Sequence, residues 1–301
     1  MSCFRLVLYA ALIARCVWPL GTVLAQEKEE TPLERLGRKP LWEAGVTGVA
    51  LTLPHYVGSD EYHAFALPFP YLVYRGEIFK SDRDGMRGLF FQSDRFESDI
   101  SMDGNLPVSS ENNEAREDMP ELDTLAEIGP AFRYYIHRNG ELDHLYLQAA
   151  WRGAFSIAFN GGLDIDTNWR GQRYMLNLKF KNESLFRDHN LGFFFSTGIS
   201  YTDDILNGYF YDVQTEYVTP QRGHYSADAG YAGLYVSGSV YKALSDRWAI
   251  GGYLRWQNIS GAVFEDSPLV RTSNNLYASL ALVWKFAQSK KMVTVSEQLK
   301  N

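Results

Sequence analysis

Residues 141–160, ELDHLYLQAAWRGAFSIAFN, keep a period of two with almost no error, and this constrains the chain more than any other stretch. Leu145, Leu147, Ala149, Trp151, Gly153, Phe155, Ile157 and Phe159 fall on one side. His144, Tyr146, Gln148, Ala150, Arg152, Ala154 and Ser156 fall on the other. Successive side chains of a strand point to opposite faces, so the pattern predicts a strand with one apolar and one polar face. A strand of a soluble domain runs about 5 to 6 residues, whereas one tilted across a bilayer needs about 9 to 11. The length favours a transmembrane antiparallel β-barrel.

Alternation and turn signals together give about twelve strands, near 42–53, 65–74, 77–82, 87–93, 96–103, 122–137, 142–159, 172–181, 191–202, 230–241, 248–258 and 275–286. Their connections alternate in length. Segments 75–76, 93–95, 138–140, 183–190 and 245–247 are the shorter ones, mostly tight turns. Segments 54–63, 104–121, 160–171, 203–229 and 259–274 are mostly longer. Outer-membrane barrels put short turns in the periplasm and long loops outside the cell, so the expected site is the cell outer membrane. The 19 Tyr, 18 Phe and 7 Trp suit aromatic girdles at both interfaces. The polar face mixes Glu127, Arg133, Arg152, Arg173 and Arg255 with small residues, as a narrow lumen crossed by ion pairs requires. A soluble exported sandwich is the rival architecture that alternation alone does not separate.

Residues 1–25 read as a signal peptide, with Arg5 before an apolar run and Val23, Leu24 and Ala25 at the cleavage site. Residues 26–40 form a charged periplasmic leader, 41–286 the barrel, and 287–301 a periplasmic tail. Both cysteines, Cys3 and Cys16, lie in the signal, so its removal leaves no thiol for disulfides or thiolate sites. It also removes two of the 29 basic residues, leaving 27 against 36 acidic ones. That excess of negative charge argues against a nucleic-acid partner. Outer-membrane lipid and lipopolysaccharide are the expected surroundings.

Several stretches resemble the MipA/OmpV family of outer-membrane proteins, named after MltA-interacting protein. They are PHYVGSD at 54–60, PFPYLVYRGEIF at 68–79, EAREDMPELDTLAEIGP at 114–130, NGYFYDV at 207–213 followed by Arg222, Tyr225, Gly230 and Tyr231, and SPLV at 267–270. Asp118 stands where the family pattern leads one to expect glycine. The resemblance runs in order from about residue 41 to 286. It implies an outer-membrane barrel without known catalysis, acting as a scaffold for murein enzymes, a transglycosylase and a penicillin-binding protein among them, or as a surface receptor or adhesin. The loop residues it marks as candidate binding positions are Pro54, Tyr56, Gly58, Ser59, Tyr209, Tyr211, Asp212, Arg222, Tyr225, Ser267 and Pro268. No cofactor and no metal are expected.

Two other function classes compete with this one. A small-solute channel shares the barrel, and strand number does not separate it from a scaffold. A rim hydrolase would have to recruit His55, His63 or His224 with Asp60, Asp203 or Asp204. These histidines are scattered over loops without a tight motif, and His137, His144 and His189 read as turn or lumen residues. The acidic loop residues Asp82, Asp84, Glu111, Glu114, Glu117 and Asp118 read as solvated, since carboxylate number without fixed geometry does not specify calcium. The aromatic set Tyr209, Phe210, Tyr211, Tyr217 and Tyr225 reads either as a loop packed over the barrel mouth or as a recognition surface.

Overall fold

The computed structural model describes residues 38–76, 79–82, 85–139, 143–159, 165–186 and 191–294. The signal peptide, leader residues 26–37, Gly140, His189 and tail residues 295–301 lie outside them. The strands are β1 (Arg38–Pro40), β2 (Trp42–Pro54), β3 (Tyr62–Arg75), β4 (Phe79–Asp82), β5 (Gly85–Gln92), β6 (Phe96–Asn105), β7 (Thr124–Asn139), β8 (Asp143–Phe159), β9 (Ile165–Phe186), β10 (Leu191–Thr202), β11 (Gly230–Ala243), β12 (Trp248–Asn258), β13 (Asn274–Gln288) and β14 (Met292–Thr294). One helix, α1 (Asp204–Tyr211), interrupts the long connection after β10.

Strands β2 to β13 close in sequence order into a twelve-stranded antiparallel barrel, β13 pairing with β2 to seal it. Closure pairs backbone groups between neighbouring strands, the condition for crossing hydrocarbon without a helix. The register then decides which side chains meet lipid. Trp151, Leu176, Ile199, Leu254, Leu280 and Phe286 point outward and are exposed, Leu280 to 66%. At the outer end, Trp151 pairs with Tyr174, and Tyr174 with Tyr201. At the periplasmic end, Trp248 stacks on Trp284 with ring centroids 6.1 Å apart. These two groups form the aromatic girdles.

The inward face of β6 to β9 is packed with charge. Arg133 bonds Asp99 at 2.8 Å and lies 3.7 Å from Glu97, which also receives Arg138 at 3.0 Å. Higher in the lumen Arg152 reaches Asp103 at 2.8 Å, and Arg173 reaches Glu127 at 3.1 Å. Apart from Asp103 these side chains are buried or nearly so, and the barrel is filled on this side.

The differences from the sequence expectation have physical causes. β9 runs from 165 to 186 rather than 172 to 181, its added N-terminal end carrying the polar run Asp166, Thr167 and Asn168. β13 runs to Gln288, two residues beyond the expected barrel boundary. The end of the leader and part of the tail are ordered together, β1 pairing antiparallel with β14 under the barrel. Backbone bonds from Leu41 N to Lys291 O (2.8 Å) and from Ser289 N to Trp42 O (2.8 Å) hold this two-stranded sheet to the rim. Helix α1 lies within a stretch read as loop, with Asp203 capping it by accepting from Leu206 N at 2.9 Å.

Candidate functional site

The four long outer connections, residues 55–61, 106–123, 203–229 and 259–273, fold onto one another as a cap over the barrel mouth. Its apolar interior includes Tyr56, Val108, Leu122, Leu206, Phe210, Tyr211, Ile259 and Phe264. Tyr211 and Phe264 stack with centroids 3.9 Å apart and planes 9° off parallel. A second cluster of Ala115, Met119, Val213 and Leu269 adjoins it.

Ten of the eleven candidate binding residues sit in this cap and Pro54 ends β2 directly below it, and most of the ten bond to neighbouring loops. Tyr56 donates to Leu269 O at 2.7 Å and Tyr211 to Val57 O at 2.8 Å. Ser267 donates to Tyr211 O at 2.8 Å, and Tyr225 to Val263 O at 3.0 Å. Asp212 accepts from Ala227 N at 2.7 Å. The Arg222 guanidinium donates to Tyr217 O, Ala115 O and Glu117 O at 2.9 to 3.0 Å, and so staples two loops. Gly58 takes φ +94, which a side chain disfavours, and its N–H donates to Asn275 Oδ1 at 2.6 Å. Asn275 returns a bond to Ser59 O at 2.7 Å. Pro54 is buried where β2 enters the cap, and Pro268 precedes the fully buried Leu269. Tyr209 lies under the Arg170 guanidinium, 4.6 Å from its ring centre. Of the eleven, Tyr209, Asp212, Tyr225 and Pro268 keep part of their surface accessible, and the other seven are buried.

Residues that sequence reasoning did not single out complete the cap. Arg116, inside an acidic run, is 3% exposed and donates to Phe210 O at 2.9 Å and Pro120 O at 3.1 Å. Asn113 donates to His55 Nδ1 at 3.0 Å and Ser59 Oγ at 3.2 Å. Gly171 is also required, because a Cβ there would strike Asp203 and Leu206 N at the start of α1. A lone arginine among carboxylates was the one signal available for this group. Nothing in the sequence marks Asn113 or Asn275.

Burial sets the electrostatics of the cap. The phenols of Tyr56 and Tyr211 are raised by desolvation, and that of Tyr209 is pushed up to about 12 for the same reason. Desolvation lowers Arg116 and also lowers His55, the latter against the opposing pull of Glu61. His55 and His63 meet with ring centroids 4.0 Å apart, while His224 is exposed elsewhere in the cap. Ser59 Oγ is occupied by Asn113 and by Glu61 N, with Asn113 standing between it and His55. Among the described residues no three His, Cys, Asp or Glu side chains gather as a metal site.

The channel CymD, a monoaromatic hydrocarbon channel, is 11% identical over 83% of this chain and 90% of its own, with a TM-score of 0.33. The outer-membrane protein OprG from Pseudomonas aeruginosa is 10% identical over 83% of this chain and 96% of its own, with a TM-score of 0.23. The Pseudomonas putida toluene transporter TodX is 8% identical over 80% of this chain and 87% of its own, with a TM-score of 0.27. No individual curated protein matches the chain at a significant level. The family profile described as MltA-interacting protein MipA matches residues 46–286, which is nearly the whole barrel and all of its cap. This chain is an outer-membrane β-barrel and belongs to the MipA family.

Proposed function

We propose that the protein is a non-enzymatic scaffold that holds a murein transglycosylase at the inner face of the outer membrane. The observation that carries this reading is the charge polarity of the two ends. Among the described residues, the exposed cations at the periplasmic end, Arg95, Lys242, Arg247, Lys290 and Lys291, outnumber the exposed anions Asp94 and Asp246. The cap is the reverse, exposing Asp60, Glu111, Glu114, Glu117, Glu121 and Asp266 beside Arg271. Complementary potentials steer encounter and fix orientation, so an acidic enzyme face is drawn to the periplasmic end. The β1–β14 sheet enlarges that end, where two-residue turns alone offer far less than the roughly 800 Å² per partner of a stable interface. The name of the family, MltA-interacting protein, supports an enzyme of this class as the partner.

A wide aqueous pore fits less well, because the cap covers the mouth and ion pairs fill one side of the lumen. The test is capture of a purified murein transglycosylase by the detergent-solubilised barrel. Replacing Arg247, Lys290 and Lys291 together by Glu should weaken capture by about tenfold or more, and added salt should weaken the native complex in the same direction. Capture at full yield by the triple variant would move the docking surface elsewhere.

A further inference from the structure

One part of the barrel wall is not continuous from rim to rim. Among the described residues, β3 pairs with β4 only at Tyr74 and Arg75, next to the periplasm. β5 meets β6 only at Leu89, Phe91 and Gln92, opposite Asp99, Ser98 and Glu97. Among the described residues β4 pairs with β5 only over Phe79–Asp82, four residues against the 14 of β3, so these strands do not rise beside their neighbours. Among the described residues, 62–70 of β3 therefore have strand partners on β2 alone, and 100–105 of β6 on β7 alone. Two absent strands leave β3 and β6 about 14 Å apart at the standard inter-strand spacing.

The sequence is adapted to this edge. Backbone bonds from His55 N to Glu61 O and from Arg75 N to Leu41 O place the N–H groups of odd-numbered β3 residues on the β2 side. Even-numbered residues then direct theirs toward the discontinuity. Pro68 and Pro70 are even-numbered and have no N–H. They lie midway along β3, at hydrocarbon depth, where an unsatisfied donor would cost several kcal/mol. Proline is confined to sheet edges for this reason. On the opposite side, the N–H of Gly104 is satisfied by its neighbour Asp103 at 2.9 Å instead of by a strand.

The discontinuity is also bounded above. The loop after β2 and the loop after β6 are joined by Asn113 bonding His55 and Ser59, and by Glu114 N donating to Glu61 Oε1 at 2.7 Å. The result is a frame with β3 and β6 as sides, the hairpin as sill and the cap as lintel. Immediately inside it the lumen is apolar on the β3 side, while the β6 side presents Asp99, Ser101 and Asp103 held by Arg133 and Arg152. Register places Phe65, Leu67 and Phe69 of β3 inward beside Leu51, Val49 and Thr47 of β2. Phe69 points inward yet is 38% exposed, so the lumen on this side is not filled.

We infer that this frame is a lateral window joining the lumen to the bilayer core, and that small uncharged apolar molecules pass through it. Water-soluble solutes gain nothing from such a route, because it opens into hydrocarbon. The ion pairs of β6 to β9 leave only the β2–β3 side of the lumen open, so the occupant is a compact molecule with no charged head.

Two measurements on the full chain reconstituted in phospholipid bilayers test this. Nitroxide labels at Leu67→Cys (inward, at the window), Ala66→Cys (outward) and Ser239→Cys (inward, on a fully paired wall) are compared with Cys3 and Cys16 replaced by Ser. Collision with lipid-soluble oxygen should be similar at 67 and 66 and several times lower at 239. A label at 67 that matches 239, or that prefers a water-soluble nickel chelate, overturns the window. The second measurement is binding of N-phenyl-1-naphthylamine, read by its fluorescence. Phe69→Glu should weaken binding by about tenfold or more, because it places a charge on the apolar track, and Phe69→Leu should retain it. Heat-modifiable migration establishes that both variants are folded, and undiminished binding by folded Phe69→Glu overturns the proposal.

Discussion

The wall made by β6 to β9 and the wall made by β2 and β3 belong to one barrel but solve the inward face in opposite ways. On the first, the inward Arg133, Arg152 and Arg173 each reach a carboxylate, and Arg133, Glu97 and Asp99 are almost fully buried. On the second, most inward residues are apolar and half exposed, with Glu43, held by Arg75 at 2.8 Å and Lys285 at 3.3 Å, only at the periplasmic end. A charged face can fill a lumen only when its partners come from neighbouring strands, so it rigidifies the wall and closes it to solutes. An apolar face imposes no such pairing and leaves space. One side therefore holds the barrel together, and the other is available for passage.

The largest expected effect tests the first half of that contrast. Arg133→Met removes the 2.8 Å ion pair of the buried Asp99 and leaves the buried Glu97 with Arg138 as its paired arginine. Such a loss costs about 3 to 5 kcal/mol, so the variant should fail to assemble or lose its heat-modifiable form. Leu67→Ala, on the apolar wall, should cost under about 2 kcal/mol, because its side chain is only partly buried. Urea unfolding of the two variants in lipid measures the difference. Similar losses from both would mean that the two walls carry stability alike.

The same contrast explains what was legible in the sequence. β10 and β12 fall at residues 191–202 and 248–258 as alternation predicts, because lipid on one side and lumen on the other enforce a period of two there. β9 was read short because Asp166, Thr167 and Asn168 project beyond the bilayer, where no burial enforces alternation. The prolines at 68 and 70 were visible as part of a family motif. Their meaning was not, since it depends on which neighbour each N–H faces. In the cap, Tyr56, Gly58, Arg222 and Ser267 were legible as a set. That they bond to carbonyls and side chains of other loops is a matter of tertiary contact, which no local pattern records.

A smaller effect is expected where the cap bridges the two walls. His55 is held below its ordinary value of 6.5 by desolvation, and its neutral Nδ1 accepts from Asn113. A histidine lowered in the folded state binds its proton more readily when the loop is open. The junction is therefore fully stable above about pH 6.5 and weakens as the pH falls from there through the lowered folded value. Amide exchange of residues 55–61 and 110–116, corrected for intrinsic rates, should accelerate on acidification, and His55→Gln should show a clearly smaller pH dependence, the adjoining His63 remaining. A pH-independent native junction would mean that His55 does not carry the bridge.

The smallest effect concerns Asp118. Glu117 at φ −50, ψ 133 and Asp118 at φ 63 form the two central positions of a type II turn, closed by Met119 N donating to Arg116 O at 2.9 Å. The second central position of that turn requires positive φ, where glycine is unstrained and an L-residue costs about 1 kcal/mol, somewhat less for Asp. The family resemblance led to an expectation of glycine at this position, and the turn supplies the reason. Asp118→Gly relieves the strain but also adds conformational freedom to the unfolded loop, and the two terms oppose each other. The net change should lie between zero and about 1 kcal/mol of stabilisation. Asp118→Ala, which keeps the strain and removes the short polar side chain that tolerates it, should destabilise by about 1 kcal/mol. Because Arg116 precedes the turn and is anchored to Phe210 O, both changes should register as altered amide exchange in residues 113–119 with the barrel strands unaffected. Destabilisation by Asp118→Gly would show that the Asp118 carboxylate holds the turn by an interaction stronger than the strain it imposes.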